Sequence, residues 1–154
     1  MKALVSPFEL GAVRPFPKGC LLGGLHHIFV YPIAWRRYRS SLIDQCAARG
    51  PVTESHWPSP QHFAVAERLR PIFAGSCWAV PELTFHPADP MAVVGEFEIG
   101  DLSEVEHIMD VEDEFELPKL GPELELLLSR DGVTLGDLVE FLLKTAPSNP
   151  SGAA

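Results

Sequence analysis

Fifteen prolines and twelve glycines divide this sequence into short segments. Proline removes a backbone donor and disturbs a helix interior, so the elements between the prolines must be short. Apolar residues recur at three- and four-residue steps in windows at 35–49, 61–73, 102–115 and 134–144. The sequence therefore predicts an all-α fold of short helices joined by long connections.

Charge is distributed unevenly along the 154 residues. Residues 1–50 carry seven Lys/Arg against two Asp/Glu, whereas residues 51–154 carry five against nineteen. An acidic C-terminal part repels the phosphates of nucleic acids, so we do not expect nucleic-acid binding. Together with the turn-forming residues at 51–60, the helical spacing that follows them and the stretch APSNPSGAA at the end, the charge division predicts a basic N-terminal extension (1–50), a proline-rich linker (51–60), a helical domain (61–145) and a disordered tail (146–154).

The N-terminal extension combines an apolar run with a short amphipathic helix. The run CLLGGLHHIFVYPIAW at 20–35 is shorter than the roughly 20 residues of a membrane span. It leads into the helix predicted at 35–49, whose aromatic and basic residues fit two interpretations. In the first interpretation, these residues bind anionic lipid at a membrane surface. In the second, the apolar groups pack on the acidic domain and the arginines contact its carboxylates. The residues concerned are Trp35, Arg36, Arg37 and Arg39.

The residue types that carry metal or catalytic chemistry show no recognised spacing. Cys20, Cys46 and Cys77 are odd in number and far apart, which favours a reducing cytoplasm over a disulfide framework or a zinc site. The histidines lack metal-ligand spacing, and nucleophile elbows and phosphate-binding glycine loops are absent from the sequence. We therefore predict a protein that is not an enzyme and holds no metal.

The stretch GDLSEVEHIMDVEDEFEL at 100–117 predicts a helix with one apolar and one acidic side. Its predicted apolar side consists of Leu102, Val105, Ile108, Met109, Val111 and Phe115. In the last window, Thr134 and Asp137 form an acidic variant of the capping box. The predicted buried side of that last helix consists of Leu135, Leu138, Val139, Leu142 and Leu143.

Residues 61–145 resemble an acyl carrier protein in the order of their elements and in four stretches. These are VAERLRPIF, VPELTFHPADP, GDLSEVEHIMDVEDEFEL and VTLGDLVEFLL. The resemblance implies a four-helix bundle. His107 departs from the family pattern, because it takes the first place of an apolar trio.

In that family, the serine of an Asp-Ser-Leu triplet carries a phosphopantetheine arm. The matching triplet here is Gly100-Asp101-Leu102, with Asp101 in the serine's place, so phosphopantetheine is not expected. Ser103 is the alternative attachment residue. It lies two residues further along, which turns a helix by about 200° away from the expected surface.

The resemblance also implies docking on a basic protein partner through the acidic helix, within lipid, fatty-acid or polyketide metabolism. Opposite charges of this kind steer encounter and orientation. Three alternatives stay open: a working carrier that uses Ser103, a peripheral membrane adaptor that uses residues 20–39, and an acidic face that serves solubility alone. The predicted docking residues are Asp101, Glu104, Glu106, Asp110, Asp113 and Glu114.

Overall fold

A computed structural model describes residues 2–13, 31–75, 84–95, 103–117, 121–128 and 130–145. Within these ranges the chain is mainly helical, and its one β-type contact is an isolated bridge between Pro90 and Thr134. A 3-10 turn covers Glu54–His56. The α-helices are α1 (Tyr31–Arg49), α2 (Pro60–Gly75), α3 (Met91–Val94), α4 (Ser103–Glu114), α5 (Gly121–Leu128) and α6 (Leu135–Thr145).

The all-α class is thereby confirmed for the described residues, and the finer acyl-carrier arrangement stays a prediction. The chain divides into two compact units, Met1–Pro51 and Val52–Ala154. No helix in the described ranges is long and apolar enough to cross a membrane. The predicted tail and most of the apolar run at 20–35 lie outside the described residues.

In the first unit, the N-terminal segment is held against α1. The Gln45 side chain accepts a hydrogen bond from Val5 N at 2.9 Å and donates one to Val5 O at 3.0 Å. The ring of Phe8 packs on Tyr38, with 5.6 Å between ring centroids. Tyr38 and Leu42 are buried, so this side of α1 forms the core of the unit.

In the second unit, α2 is the central packing element. It contacts α6 on one side and α4 on another, and α4 in turn contacts α5. The helices bury apolar side chains at these contacts because removing such a side chain from water is favourable by about 1.5–3 kcal/mol. The largest fully buried side chains here include Leu69, Met91, Leu124, Leu135, Leu138 and Leu142.

The first turn of α6 is fixed by its own cap and by a preceding loop. Thr134 N donates to Asp137 Oδ2 at 2.9 Å and Asp137 N donates to Thr134 Oγ1 at 3.3 Å, so the predicted capping box is confirmed. Leu135 N and Gly136 N donate to the carbonyls of Asp89 and Pro87, each at 2.8 Å. These bonds satisfy backbone donors that a helix start leaves without intrahelical partners.

The predicted buried side of α6 is confirmed at four positions. Leu135, Leu138 and Leu142 are almost fully buried, as is Val139, whereas Leu143 is half-buried. The regular apolar spacing of this segment was therefore sufficient to identify the face that enters the core.

The helix predicted at 35–49 and the long connection expected between the windows at 61–73 and 102–115 both differ from expectation. Helix α1 covers Tyr31–Arg49 and thus includes Pro32 and the other residues just before the predicted start at residue 35. Helix α3 lies within the connection, and its Met91, Val93 and Val94 are buried. Met91 N donates to Val133 O at 2.8 Å, a tertiary contact with no local sequence signal.

Pro71 lies inside α2 and does not end the helix. The helix continues through Pro71 to Gly75. An internal proline costs a helix about 3 kcal/mol. Burial of Leu69 before it and Phe73 after it offsets that cost, since both side chains are at most 3% exposed.

Candidate functional site

Helix α4 is oriented by three buried side chains on one of its sides. His107, Val111 and Phe115 are 1%, 2% and 4% exposed, and their four-residue spacing places them above one another. The His107 ring meets Phe73 of α2 edge-on, with 5.2 Å between ring centroids. The histidine that departs from the acyl-carrier pattern is thus a core residue.

Met109 was predicted on the apolar side of α4, and that prediction is wrong. Its side chain is 58% exposed, whereas His107 is buried. Two residues rotate a helix by about 200°, so Met109 faces away from both His107 and Val111. Because α4 packs on α2 through the side that carries His107, Met109 is exposed to solvent.

The exposed side of α4 carries three acids around this methionine. Glu106, Met109, Asp110 and Asp113 are all exposed and follow helical spacing of three and four residues. We call these four residues the acidic stripe. The Met109 side chain gains free energy when it is buried, and the carboxylates that flank it attract cations.

Glu114 was predicted to share this surface, but its carboxylate is engaged within the unit. Arg68 Nε of α2 donates to Glu114 Oε1 at 2.8 Å. The Arg68 guanidinium also lies 4.1 Å from the Phe115 ring centroid. Because Arg68 offsets its charge, Glu114 contributes less to the acidic potential than the three acids of the stripe.

The remaining predicted residues of this helix cannot be placed as side chains. Asp101 lies outside the described residues. Ser103 and Glu104 belong to the first turn of α4, and their side chains lie outside the described part. The acidic stripe is therefore defined by Glu106, Asp110 and Asp113 together with Met109.

On α1, the predicted membrane-contact residues separate into two groups. Arg39 is 5% exposed, and its guanidinium lies 4.4 Å from the Trp35 ring centroid, one helical turn away. Burial removes Arg39 from the solvent-facing surface where a lipid headgroup would meet it. Arg36 and Arg37 are exposed beside Ile33, which is 57% exposed.

A polar bridge between α2 and α6 was not predicted. His62 Nε2 lies 2.9 Å from Glu140 Oε2, and His62 Nδ1 lies 2.7 Å from Ser59 Oγ. Hydrogen bonds from Lys144 and then His62 lower the pKa of the Glu140 carboxyl. Ser59 stands three residues before His62, a spacing that is typical of a helix start and is visible in the sequence. The contact between His62 and Glu140 is a tertiary contact.

The arrangement of Ser59 and His62 is first of all a helix cap. Ser59 Oγ also lies 3.4 Å from His62 N, as expected where a serine precedes a helix. In the described part of the chain, no group of three or more His, Cys, Asp or Glu is placed to hold a metal ion.

Comparisons with known protein families, with curated proteins and with solved structures found no match for this chain.

Proposed function

We propose that this chain is a non-enzymatic interaction module that docks on a basic protein surface through the acidic stripe of α4. The observation that carries the proposal is the exposure of Met109 among Glu106, Asp110 and Asp113. The packing of α4 on α2 turns this side toward solvent.

The two components of the stripe have different roles in docking. Met109 is 58% exposed, so burying the rest of its side chain in a partner pocket supplies about 1–2 kcal/mol. The carboxylates steer a cationic partner and fix its orientation, which acts mainly on the association rate. The partner therefore presents an apolar pocket flanked by Lys or Arg.

The resemblance to acyl carrier proteins supports the same surface and supplies the metabolic setting. On that resemblance, the partner belongs to lipid, fatty-acid or polyketide metabolism. Asp101 stands where the family has its attachment serine, so the module docks without a phosphopantetheine arm. A fold-level analogy is weaker support than the stripe itself.

The test is capture of partners by the full-length chain, quantified by mass spectrometry. A photo-cross-linking residue at position 109 marks direct contacts, and the Glu106→Lys/Asp110→Lys variant reverses the stripe. We expect reversal to reduce capture of the cross-linked partner by at least about tenfold, because like charges across an interface repel. Raising the salt concentration should also reduce capture, because salt screens exposed charge pairs.

A matched control variant makes the same change in net charge at positions outside the acidic stripe. Asp44→Lys/Glu125→Lys alters two exposed acids on α1 and α5 and leaves the stripe intact. Capture should survive in this control. Equal losses in both double variants would show that only net charge matters, and undiminished capture by the stripe variant would remove α4 from the interface.

Exposed Ile33 beside Arg36 and Arg37 favours a second candidate function, peripheral contact with an anionic membrane. An exposed apolar side chain next to cations is the arrangement that inserts at a headgroup boundary. Flotation with phosphatidylserine vesicles at low salt tests it. Binding should disappear in Arg36→Glu/Arg37→Glu and persist in Arg36→Lys/Arg37→Lys, and a wild-type chain that stays in solution refutes this candidate.

A further inference from the structure

The second unit contains a serine, a histidine and a carboxylate that are joined by two hydrogen bonds. Ser59 Oγ lies 2.7 Å from His62 Nδ1, and His62 Nε2 lies 2.9 Å from Glu140 Oε2. Ser59 directly precedes α2, His62 lies in its first turn, and Glu140 lies on α6. A hydroxyl bonded to an imidazole that a third group orients is the usual arrangement of an activated nucleophile. Its chemistry is independent of docking through the acidic stripe.

The carboxylate of Glu140 decides which nitrogen of His62 carries the proton. An ionised carboxylate only accepts hydrogen bonds, so His62 Nε2 donates to it as an N–H group. In the neutral imidazole Nδ1 is then a bare acceptor, and the hydrogen bond at 2.7 Å runs from the Ser59 hydroxyl to Nδ1. Hydrogen bonds from Lys144, whose Nζ lies 2.9 Å from the other carboxylate oxygen, and from His62 lower the pKa of Glu140 and keep it ionised near neutral pH.

The start of α2 also supplies a backbone donor beside the serine. An N-cap oxygen reaches the second or the third N–H of its helix. Ser59 Oγ lies 3.4 Å from the third, which is His62 N. The second is Gln61 N, and no acceptor is bonded to it in the described part of the chain. N–H groups at a helix start favour negative charge, so Gln61 N is a donor for an oxyanion that forms next to Ser59 Oγ.

Thr53 and His56 form a second hydroxyl–histidine pair with the same spacing but without the carboxylate. Thr53 Oγ1 lies 3.1 Å from His56 Nδ1. The same nitrogen accepts a hydrogen bond from Thr53 N at 3.0 Å, so the hydroxyl competes with a backbone donor for one lone pair. Within the residues that the structure describes, no carboxylate is bonded to His56. The Thr53 hydroxyl is therefore less activated than that of Ser59.

We propose that Ser59 is an acylation site for small activated acyl esters, with His62 as its general base and Glu140 as a positioning residue. The Ser59 oxygen forms a bond to the acyl carbon while His62 Nδ1 takes the hydroxyl proton. The bond between the acyl carbon and the leaving oxygen then breaks, and the imidazolium returns the proton to the leaving group. The products are an ester at Ser59 and the free alcohol or phenol of the donor.

The experiment treats the full-length chain with p-nitrophenyl acetate near neutral pH, traps the ester by acid quenching and measures intact mass. We expect a gain of one acetyl group, which peptide mapping should locate at Ser59. Hydroxylamine should remove this group, because it cleaves an ester and leaves the amide of an acetylated lysine intact. Thr53 should stay unmodified, which provides a control within the same chain.

Ser59→Asn is the matched variant that separates nucleophilicity from folding. Asparagine caps a helix about as well as serine but has no hydroxyl, so this variant should keep its stability and lose acetylation at position 59. His62→Gln should slow acetylation of Ser59 by at least about tenfold, since a positioned general base usually contributes more than that. Glu140→Gln should slow it by about two- to fivefold, the size expected for an exposed charge pair.

Nitrogen NMR of the His62 imidazole tests the positioning role of Glu140. In the unaltered chain, the shifts should show a proton on Nε2 and a bare Nδ1. Glu140→Gln should weaken this preference. A carboxylate that only stabilised the fold would leave the tautomer of the folded chain unchanged.

Several outcomes overturn the proposal. It fails if Ser59 stays unmodified while amines such as that of Lys144 are acetylated, or if Thr53 reacts as fast as Ser59. It also fails if His62→Gln is acetylated at Ser59 as fast as the unaltered chain. None of these outcomes affects capture of a partner by the acidic stripe, so the two proposals are tested separately.

Discussion

Gly136 in the first turn of α6 provides the sharpest test of how the second unit is held together. Its backbone N donates to the Pro87 carbonyl at 2.8 Å. A β-carbon added at position 136 would lie 2.9 Å from Pro87 O and 3.3 Å from Pro87 Cβ. The nearest obstacle is backbone, so Gly136→Ala must displace the loop or the helix.

The expected loss follows from the contacts that this displacement disturbs. Overpacking a close contact costs about 1–3 kcal/mol. Lengthening the bonds that Leu135 N and Gly136 N donate costs on the order of 1 kcal/mol each. The higher helix propensity of alanine offsets up to about 1 kcal/mol of this loss of stability. The net expectation is a destabilisation of about 2–4 kcal/mol.

Urea unfolding followed by circular dichroism measures this difference. The control is Ala64→Gly at an exposed position of α2, which measures the propensity term alone and should cost about 1 kcal/mol. If Gly136→Ala is as stable as the unaltered chain, the contact between the Pro87 loop and the start of α6 does not contribute to stability, and the reasoning is refuted.

Two further changes test the polar contacts of the same unit. Thr134→Ala removes half of the capping box with Asp137 and should lower the free energy of unfolding by about 1 kcal/mol in urea titrations; a change of no more than a few tenths would contradict a capping role. For Glu140, hydrogen bonds from Lys144 and His62 lower the folded-state pKa below its usual 4.5. The stabilisation is therefore present above that value and lost as pH falls through the folded pKa. The stability gap between the unaltered chain and Glu140→Gln should shrink on acidification below about 4.5, and a gap constant with pH would refute the contribution of this carboxylate.

Exposure of Met109 and engagement of Glu114 change the expected shape of the docking surface. The sequence places both in a continuous acidic, partly apolar helix, without distinguishing their surroundings. In the structure, Arg68 offsets Glu114 at one end, while Met109 lies between Glu106 and Asp110. The proposed docking surface is thus a narrow stripe centred on an apolar side chain, which fits a basic partner with an apolar pocket better than a flat basic one.

Local sequence signals were sufficient for the helical class and for α6. The three- and four-residue spacing of Leu135, Leu138 and Leu142 identifies the buried side, and Thr134 with Asp137 marks the start. Such signals are reliable because they depend on neighbours within one turn. The acidic composition of α4 is also a property of the sequence alone.

Other features depend on partners distant in the chain, and only the tertiary structure decided them. Helix α2 continues past Pro71 because Phe73 is buried against His107. Arg39 is absent from the solvent-facing surface because it is buried, with its guanidinium over the Trp35 ring. Met109 faces solvent because α4 packs on α2 through its opposite side. The sequence predicted one apolar side of α4 that included Met109, whereas the packing of α4 on α2 buries the side that carries His107.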